Sequence, residues 1–283
     1  MKFLLISSVL LLGSFLCCEA EKVSQDNRTT LECVYEYHWV KDTSARMSAD
    51  GRLLSGDSTA LKTETMILKC GGPVSLFYSY NSYVNDSIIA ENIGQGNYFF
   101  DFSALKNATK ERIYKHSVNG ETIMTDEIGG NNFRVTEDTP DFGWKLSDEW
   151  KEIAGYKVRK ASCSFRGREW TVWFAPDIPL SDGPWKFSGL PGLIFEAGDK
   201  ACQYHYILAG IKQKADTVGI PDINFVDTDL RKFYRTMRRF LEDPVGYISS
   251  TMSGNITVTS KNGTKVSPDD LIKKLKYDFK EIL

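Results

Sequence analysis

The chain is poor in the residues and spacings that announce chemistry. Three histidines occur in 283 residues. His38, His116 and His205 lie far apart, each on a strand-like run beside aromatics. A metal or general-base role needs imidazoles to converge with carboxylates, so the spacing predicts solvent-facing strand histidines instead. There is no Cys-x-x-Cys pair, which removes a redox dithiol and a zinc knuckle. There is no Gly-x-Ser-x-Gly either, which removes a nucleophile elbow. Net charge is only −2, so no global field favours nucleic acid or an anionic membrane. Beyond Leu16 no apolar run is long enough to cross a bilayer. The expectations are no catalytic residue, no metal, no cofactor, no nucleic-acid partner and no transmembrane segment.

What is present begins with an address. Met1-Lys2 is a short positive start, Phe3 to Leu16 is apolar, and Cys18-Glu19-Ala20 places small residues at −3 and −1. This reads as a secretory signal, residues 1–20, cleaved after Ala20. The rival is a lipoprotein signal with Cys17 or Cys18 acylated, against which Phe15 and Leu16 stand where small residues are wanted. The mature part, 21–283, has an ordinary globular composition, 42% hydrophobic and 25% charged, and enough length for one large β-rich domain. Its four cysteines, Cys33, Cys70, Cys163 and Cys202, suit one or two disulfides in an exported chain. Three complete pairings are open. Proximity in sequence favours Cys33 with Cys70 and Cys163 with Cys202.

Periodicity is mostly that of strands. Leu31 to Val40 alternates, with Cys33, Tyr35, Tyr37 and Trp39 on one side. Thr63 to Cys70 and Val74 to Tyr83 follow as strands, and Gly129 to Asp141 reads as a loop. Asn119-Gly120 marks a hairpin between Ile113–Val118 and Glu121–Ile128. Asp229 can cap a helix from Leu230 to Leu241, stopped at Asp243-Pro244. Asn262-Gly263 suggests a last small hairpin, and Ser267-Pro268 opens a final helix to Leu283. About 228–283 is therefore the helical part.

The organising stretch runs from Tyr156 to Ala197. Tyr156–Phe165 and Glu169–Phe174 are β-rich runs joined at Arg166-Gly167-Arg168, which predicts an antiparallel hairpin. Pro176, Pro179, Pro184 and Pro191 then forbid regular pairing. Leu190-Pro191-Gly192-Leu193 suits a type II turn with Gly192 at positive φ, after which Leu193-Ile194-Phe195 is free to enter the core.

Trp144-Lys145-Leu146, Ile153-Ala154-Gly155-Tyr156-Lys157, Trp173-Phe174-Ala175-Pro176-Asp177-Ile178-Pro179, Gly183-Pro184-Trp185-Lys186-Phe187 and the run Gly189, Leu190, Pro191, Gly192, Leu193, Ile194 together resemble the signature of the GLPGLI family. These are exported bacterial envelope proteins. The resemblance covers about forty residues and implies the periplasm or the outer-membrane periphery, with no activity to carry over. Where family members often carry a cysteine two residues after Gly-Tyr, this chain has Val158, and Cys163 is the candidate to take over its role.

The candidate ligand-binding residues are Arg166, Arg168, Trp170, Trp185 and Lys186, because arginine forks beside aromatic faces recognise carboxylate, sugar or peptide. Asp177, Asp182, Glu196 and Asp199 flank the crossing; nothing fixes them as an acid–base pair, and Asp182 before Gly183-Pro184 reads as a turn former. The helix Leu230 to Leu241 carries Arg231, Lys232, Arg235, Arg238 and Arg239 opposite its apolar stripe, a face able to touch an anionic membrane surface. The fold expected is mainly β (α+β): a curved antiparallel sheet, or a sandwich or half-barrel, with two C-terminal helices. The function expected is a non-enzymatic, partner- or ligand-binding envelope accessory, with outer-membrane uptake as the process it would serve. The alternatives are a half-barrel carrier of an apolar molecule and a hydrolase.

Overall fold

A computed structural model describes residues 27–40, 46–48, 51–55, 61–96, 105–106, 108–251 and 279–281. The strands are β1 (Arg28–Val40), β2 (Arg46–Met47), β3 (Leu53–Ser55), β4 (Leu61–Cys70), β5 (Val74–Ser79), β6 (Arg112–His116), β7 (Glu121–Ile128), β8 (Asn131–Asp138), β9 (Lys145–Ile153), β10 (Tyr156–Phe165), β11 (Arg168–Ala175), β12 (Leu193–Asp199), β13 (Tyr204–Thr217) and β14 (Val226–Thr228). The helices are α1 (Tyr80–Gly94), α2 (Leu230–Glu242) and α3 (Pro244–Thr251). Twelve strands form one open sheet in the order β14-β8-β7-β6-β5-β4-β1-β13-β12-β11-β10-β9. All its pairings are antiparallel except the parallel β14–β8 edge. β2 and β3 form a separate hairpin. No helix among the described residues is long and apolar enough to cross a membrane.

The sheet curls because its ladders are interrupted. Register shifts fall at Val34/Tyr35, Arg159/Ala161 and Trp173/Phe174, and each such bulge bends and twists its strand. One apolar cluster consequently draws on both ends of the sheet: Phe133 and Val135 of β8 share it with Val158, Ala161 and Phe165 of β10. α2 closes this concave side. Asp229 caps it by accepting from the Lys232 amide at 2.8 Å, and Leu230 and Phe233 are buried against the sheet.

The proline- and glycine-rich crossing between β11 and β12 is a buried corner. Trp185 and Phe187 are fully buried, and Leu190 nearly so. Irregular backbone leaves carbonyls that must find donors, and side chains supply them. Lys115 donates to the carbonyls of Gly183 at 2.6 Å and Phe187 at 3.3 Å. Trp144 Nε1 donates to Ser188 O at 2.7 Å, and Tyr35 Oη donates to Ile194 O at 2.7 Å. Asp182 accepts from the next amide, Gly183 N, at 2.8 Å and pairs with Lys115, so it is a turn former as its sequence context suggested.

Several expectations are corrected. Gly189, not Gly192, holds the left-handed conformation, at φ 88°. Gly192 is demanded by space: a Cβ there would lie 2.3 Å from the Ala175 carbonyl oxygen. The strand from Val74 ends at Ser79, whose side chain accepts from the Ser82 amide at 3.0 Å and starts α1. The supposed loop Gly129–Asp141 contains β8, paired along its whole length with β7. The four cysteines are free thiols. Cys33 and Cys70 do come together, their sulfurs 4.0 Å apart. Cys163 on β10 and Cys202 in the turn between β12 and β13 are not joined. Phe279, Lys280 and Glu281 are not helical. The signal segment, the Asn262-Gly263 hairpin and the start of the last expected helix lie outside the described residues.

Gly192→Ala should lower stability in urea unfolding by about 1–3 kcal/mol, since the new methyl meets backbone that has no rotamer to yield. Gly143→Ala, where a Cβ meets nothing within 4 Å but φ is 56°, should cost only about 1–2 kcal/mol of backbone strain.

Candidate functional site

The five candidate ligand-binding residues converge, and they do so from two pieces of chain. The β10–β11 connection has Arg166 at φ 43° and Gly167 at φ 77°, the paired positive angles of a tight type I′ hairpin. That geometry lifts Arg166 off the sheet end and sets Arg168 and Trp170 on the inward side of β11. Trp185 and Lys186 arrive from the crossing. Trp185 sits at φ 53°, a strained conformation for a bulky residue that only a surrounding structure can maintain. Trp170 and Trp185 stack at a tilt, 5.7 Å between ring centroids, and form the floor.

The socket is occupied by the chain's own residues 279–281. Glu281, 2% exposed, is held by Arg166 Nη1 at 2.6 Å and Lys186 Nζ at 2.5 Å. Arg168 donates twice to the Phe279 carbonyl, at 3.2 and 2.8 Å. Its remaining nitrogen binds Asp199 at 2.9 Å and Gln203 at 2.7 Å. Lys280 pairs with Glu111 and donates to Tyr206 Oη, its ammonium 5.6 Å from the Tyr37 ring centre and 5.5 Å from that of Trp185. The Phe279 ring packs on Tyr234 at 4.9 Å. Three successive residues thus meet three different chemistries: a guanidinium on a carbonyl, an aromatic and carboxylate box around an ammonium, and two cations on a carboxylate.

Glu137 of β8 completes the charge balance, bound by Arg166 at 2.5 Å and Lys186 at 2.6 Å. Burial alone would push its carboxyl up, but Lys186 and Arg166 outweigh that and hold it below the usual range. Lys186 is fully buried and touches both Glu137 and Glu281, as a buried cation must. The indole N–H groups of Trp170 and Trp185 are buried with no acceptor among the described residues. Beside Lys280 a small cavity of about 220 Å³ remains, lined in part by Trp39, Thr109, Glu111, Asp126 and Met237. Desolvation, then the charge of Glu111, pushes Asp126 up to about 7. Tyr37, Phe233, Tyr234 and Leu241 make the rest of its wall largely apolar, and its volume falls below the roughly 300–1,000 Å³ common for ligand pockets.

Sequence reading missed Glu137, Glu111, Lys280 and Glu281. Glu137 lay in a stretch taken for a loop, and Lys280 and Glu281 in one taken for a helix. The histidines also need correction: His38 and His205 are register partners on β1 and β13, ring centres 6.1 Å apart, and His205 is buried, with Glu196 at 3.2 Å. Among the described residues no group of three His, Cys, Asp or Glu is arranged to hold a metal. Glu196 and Asp199 do not face each other as an acid–base pair; Glu196 binds His205 and Lys151, and Asp199 binds Arg168. Gly189, Leu190, Pro191, Gly192, Leu193 and Ile194 touch none of the three occupant residues through a recorded polar contact, and act by setting the crossing's path.

A family described as "Protein of unknown function (Porph_ging)" matches residues 165–196, the hairpin turn through the crossing into β12. No curated protein matches. Two solved structures of PNGF-II are similar, in the P21 and C2 space groups, at 15% and 16% identity and TM-scores of 0.46 and 0.48. Each alignment covers 75% of this chain and 33% of the other, so this chain spans about a third of PNGF-II.

The raised Asp126 pKa sets a sign. Its folded value lies above the ordinary 3.8, so the contribution of this group to stability is full below about pH 4 and is lost as pH rises through about 7. Asp126→Asn should therefore raise the melting temperature at pH 8 and change it little at pH 4, read by calorimetry at both. Glu137 runs oppositely: its contribution is full above its ordinary 4.5 and is lost as pH falls below it.

Proposed function

We propose that this chain is a non-enzymatic envelope protein that captures a partner protein by an extended segment carrying adjacent basic and acidic residues. The observation that carries the reading is the occupied socket: Phe279 O on Arg168, Lys280 in the Glu111–Tyr37–Trp185 box, and Glu281 between Arg166 and Lys186. The chain's own residues stand where a partner's would. Two further features support it. Trp185 is held in a strained backbone conformation, and two buried indole donors are left without acceptors among the described residues, a pattern more typical of sites than of finished cores.

Placement follows from the sequence. Residues 1–20 read as a secretory signal, and 21–283 as a single β-rich domain in the periplasm or at the outer-membrane periphery. The run Gly189–Ile194, inside the segment matched by the unknown-function family, supports the GLPGLI assignment. The cationic side of α2 offers a further contact with an anionic partner or membrane.

The test is fluorescence anisotropy with a labelled hexapeptide Asp-Phe-Lys-Glu-Ile-Leu. A full chain carrying Phe279→Ala and Glu281→Gln should bind it at least about tenfold more tightly than wild type, a difference of about 1.4 kcal/mol, because the internal competitor is weakened. Adding Lys186→Met should abolish that binding. Equal affinities for all three chains would overturn the reading.

A further inference from the structure

A second cavity lies along β9 to β13, lined by Ser162, Thr171, Trp173, Gly198 and His205 and reaching Trp170 and Asp199 at its edge. It is a cleft of about 570 Å³, within the common range for ligand sites. Met47, the last residue of β2, and Ser48 line it together with Trp173. Gly51 lies against the histidines there: a Cβ on it would come within 3.1 Å of both His38 and His205.

The strand registers set the lining residues Ser162, Thr171, Gly198 and His205 side by side, in rows that run on past the cleft to His38 and Ile207. One cross-strand row reads Lys145 (β9), Ser162 (β10), Thr171 (β11), Gly198 (β12), His205 (β13) and His38 (β1). The next row reads Lys160, Trp173, Glu196 and Ile207. Gly198 is the dip in this floor. Its φ is not positive, and a Cβ would meet only His205 at 3.3 Å and the Tyr204 carbonyl at 3.8 Å, so the backbone itself does not demand glycine there.

Most of the charge in the lining is compensated, Lys145 excepted, and several hydroxyls are unspent. Lys160 pairs with Glu149, Lys200 with Glu169, and Glu196 with both Lys151 and His205. The hydroxyls of Ser162, Ser164 and Thr171 make no hydrogen bond to the described residues. His205, 3% exposed, has Nδ1 buried and unpartnered among them. Trp173 is fixed by Lys151 at 4.4 Å and Lys160 at 5.9 Å from its ring centre. A polyanion would need several uncompensated cations, whereas Lys145 alone of the three lining lysines has no ion pair among the described residues, and a lipid would need an apolar floor. A ligand with many neutral hydroxyls and a C–H face to lay on an indole needs what this cleft offers.

We propose that this cleft binds a short neutral oligosaccharide across Ser162, Thr171, Gly198 and Trp173. The residues proposed to bind the sugar, Ser162, Thr171, Gly198 and Trp173, are not among those that hold residues 279–281, although Trp170 and Asp199 border both places. The test is isothermal titration of the full chain with cellotriose, maltotriose and chitotriose, with trialanine as the control. At least one trisaccharide should bind with a Kd of about 0.1–1 mM, equivalent to roughly 4–5.5 kcal/mol. Gly198→Ile, which fills the dip, should weaken it at least tenfold. Thr171→Val, which keeps shape and strand preference while removing one hydroxyl, should weaken it several-fold, so the test survives if Gly198→Ile fails to fold. Absence of binding by all three sugars, equal binding of trialanine, or an unchanged affinity in folded Thr171→Val would overturn the proposal.

Discussion

A fully buried ammonium organises this molecule. Lys186 has no access to water, and its charge is tolerable only because Glu137 and Glu281 reach it from two other parts of the chain. Arg166 binds the same two carboxylates. Taking one partner away from such a cluster strands a charge in low dielectric, which costs far more than the pair contributes when intact. The cluster therefore fixes three things together: the crossing that carries Lys186, the approach of β8 to the β10–β11 turn, and the seat of residues 279–281.

The curvature of the sheet serves that arrangement. Bulges in β1, β10 and β11 bend the ladder until β8, close to one edge, faces the hairpin near the other. The glycines of the crossing act at the same point. Gly192 lets the chain pass against the Ala175 carbonyl, and Gly183 lets it pass against Ile194, whose Cβ would be 2.7 Å from an added methyl. What looks in sequence like a flexible run of glycine and proline is a tightly packed path whose carbonyls are taken up by Lys115, Trp144 and Tyr35.

Much of the fold was legible from residues 31–40, 63–79, 113–128, 156–174 and 193–195 because strand alternation there is strong and the hairpin signals are local, whereas β9 (Lys145–Ile153) was not. The candidate binding set was legible too, since Arg166, Arg168, Trp170, Trp185 and Lys186 share one short stretch. What it faces was not. Glu137 and Glu281 are 144 residues apart, and nothing in local pattern says that two glutamates so separated will share one lysine. β8 was hidden by the glycines at its start, and α1 by the alternation of Tyr78 and Tyr80, which continues a strand on paper until Ser79 caps a helix. The histidines were misread for the same reason: His38 and His205 meet only through a long-range register.

The most direct measurement is a double-mutant cycle on Lys186→Met and Glu281→Gln, each variant unfolded in urea near pH 7. The account predicts that the two changes are strongly non-additive, with a coupling of about 1–3 kcal/mol. A coupling indistinguishable from zero in folded variants would mean that Glu281 does not sit on Lys186, and the socket as described would not exist.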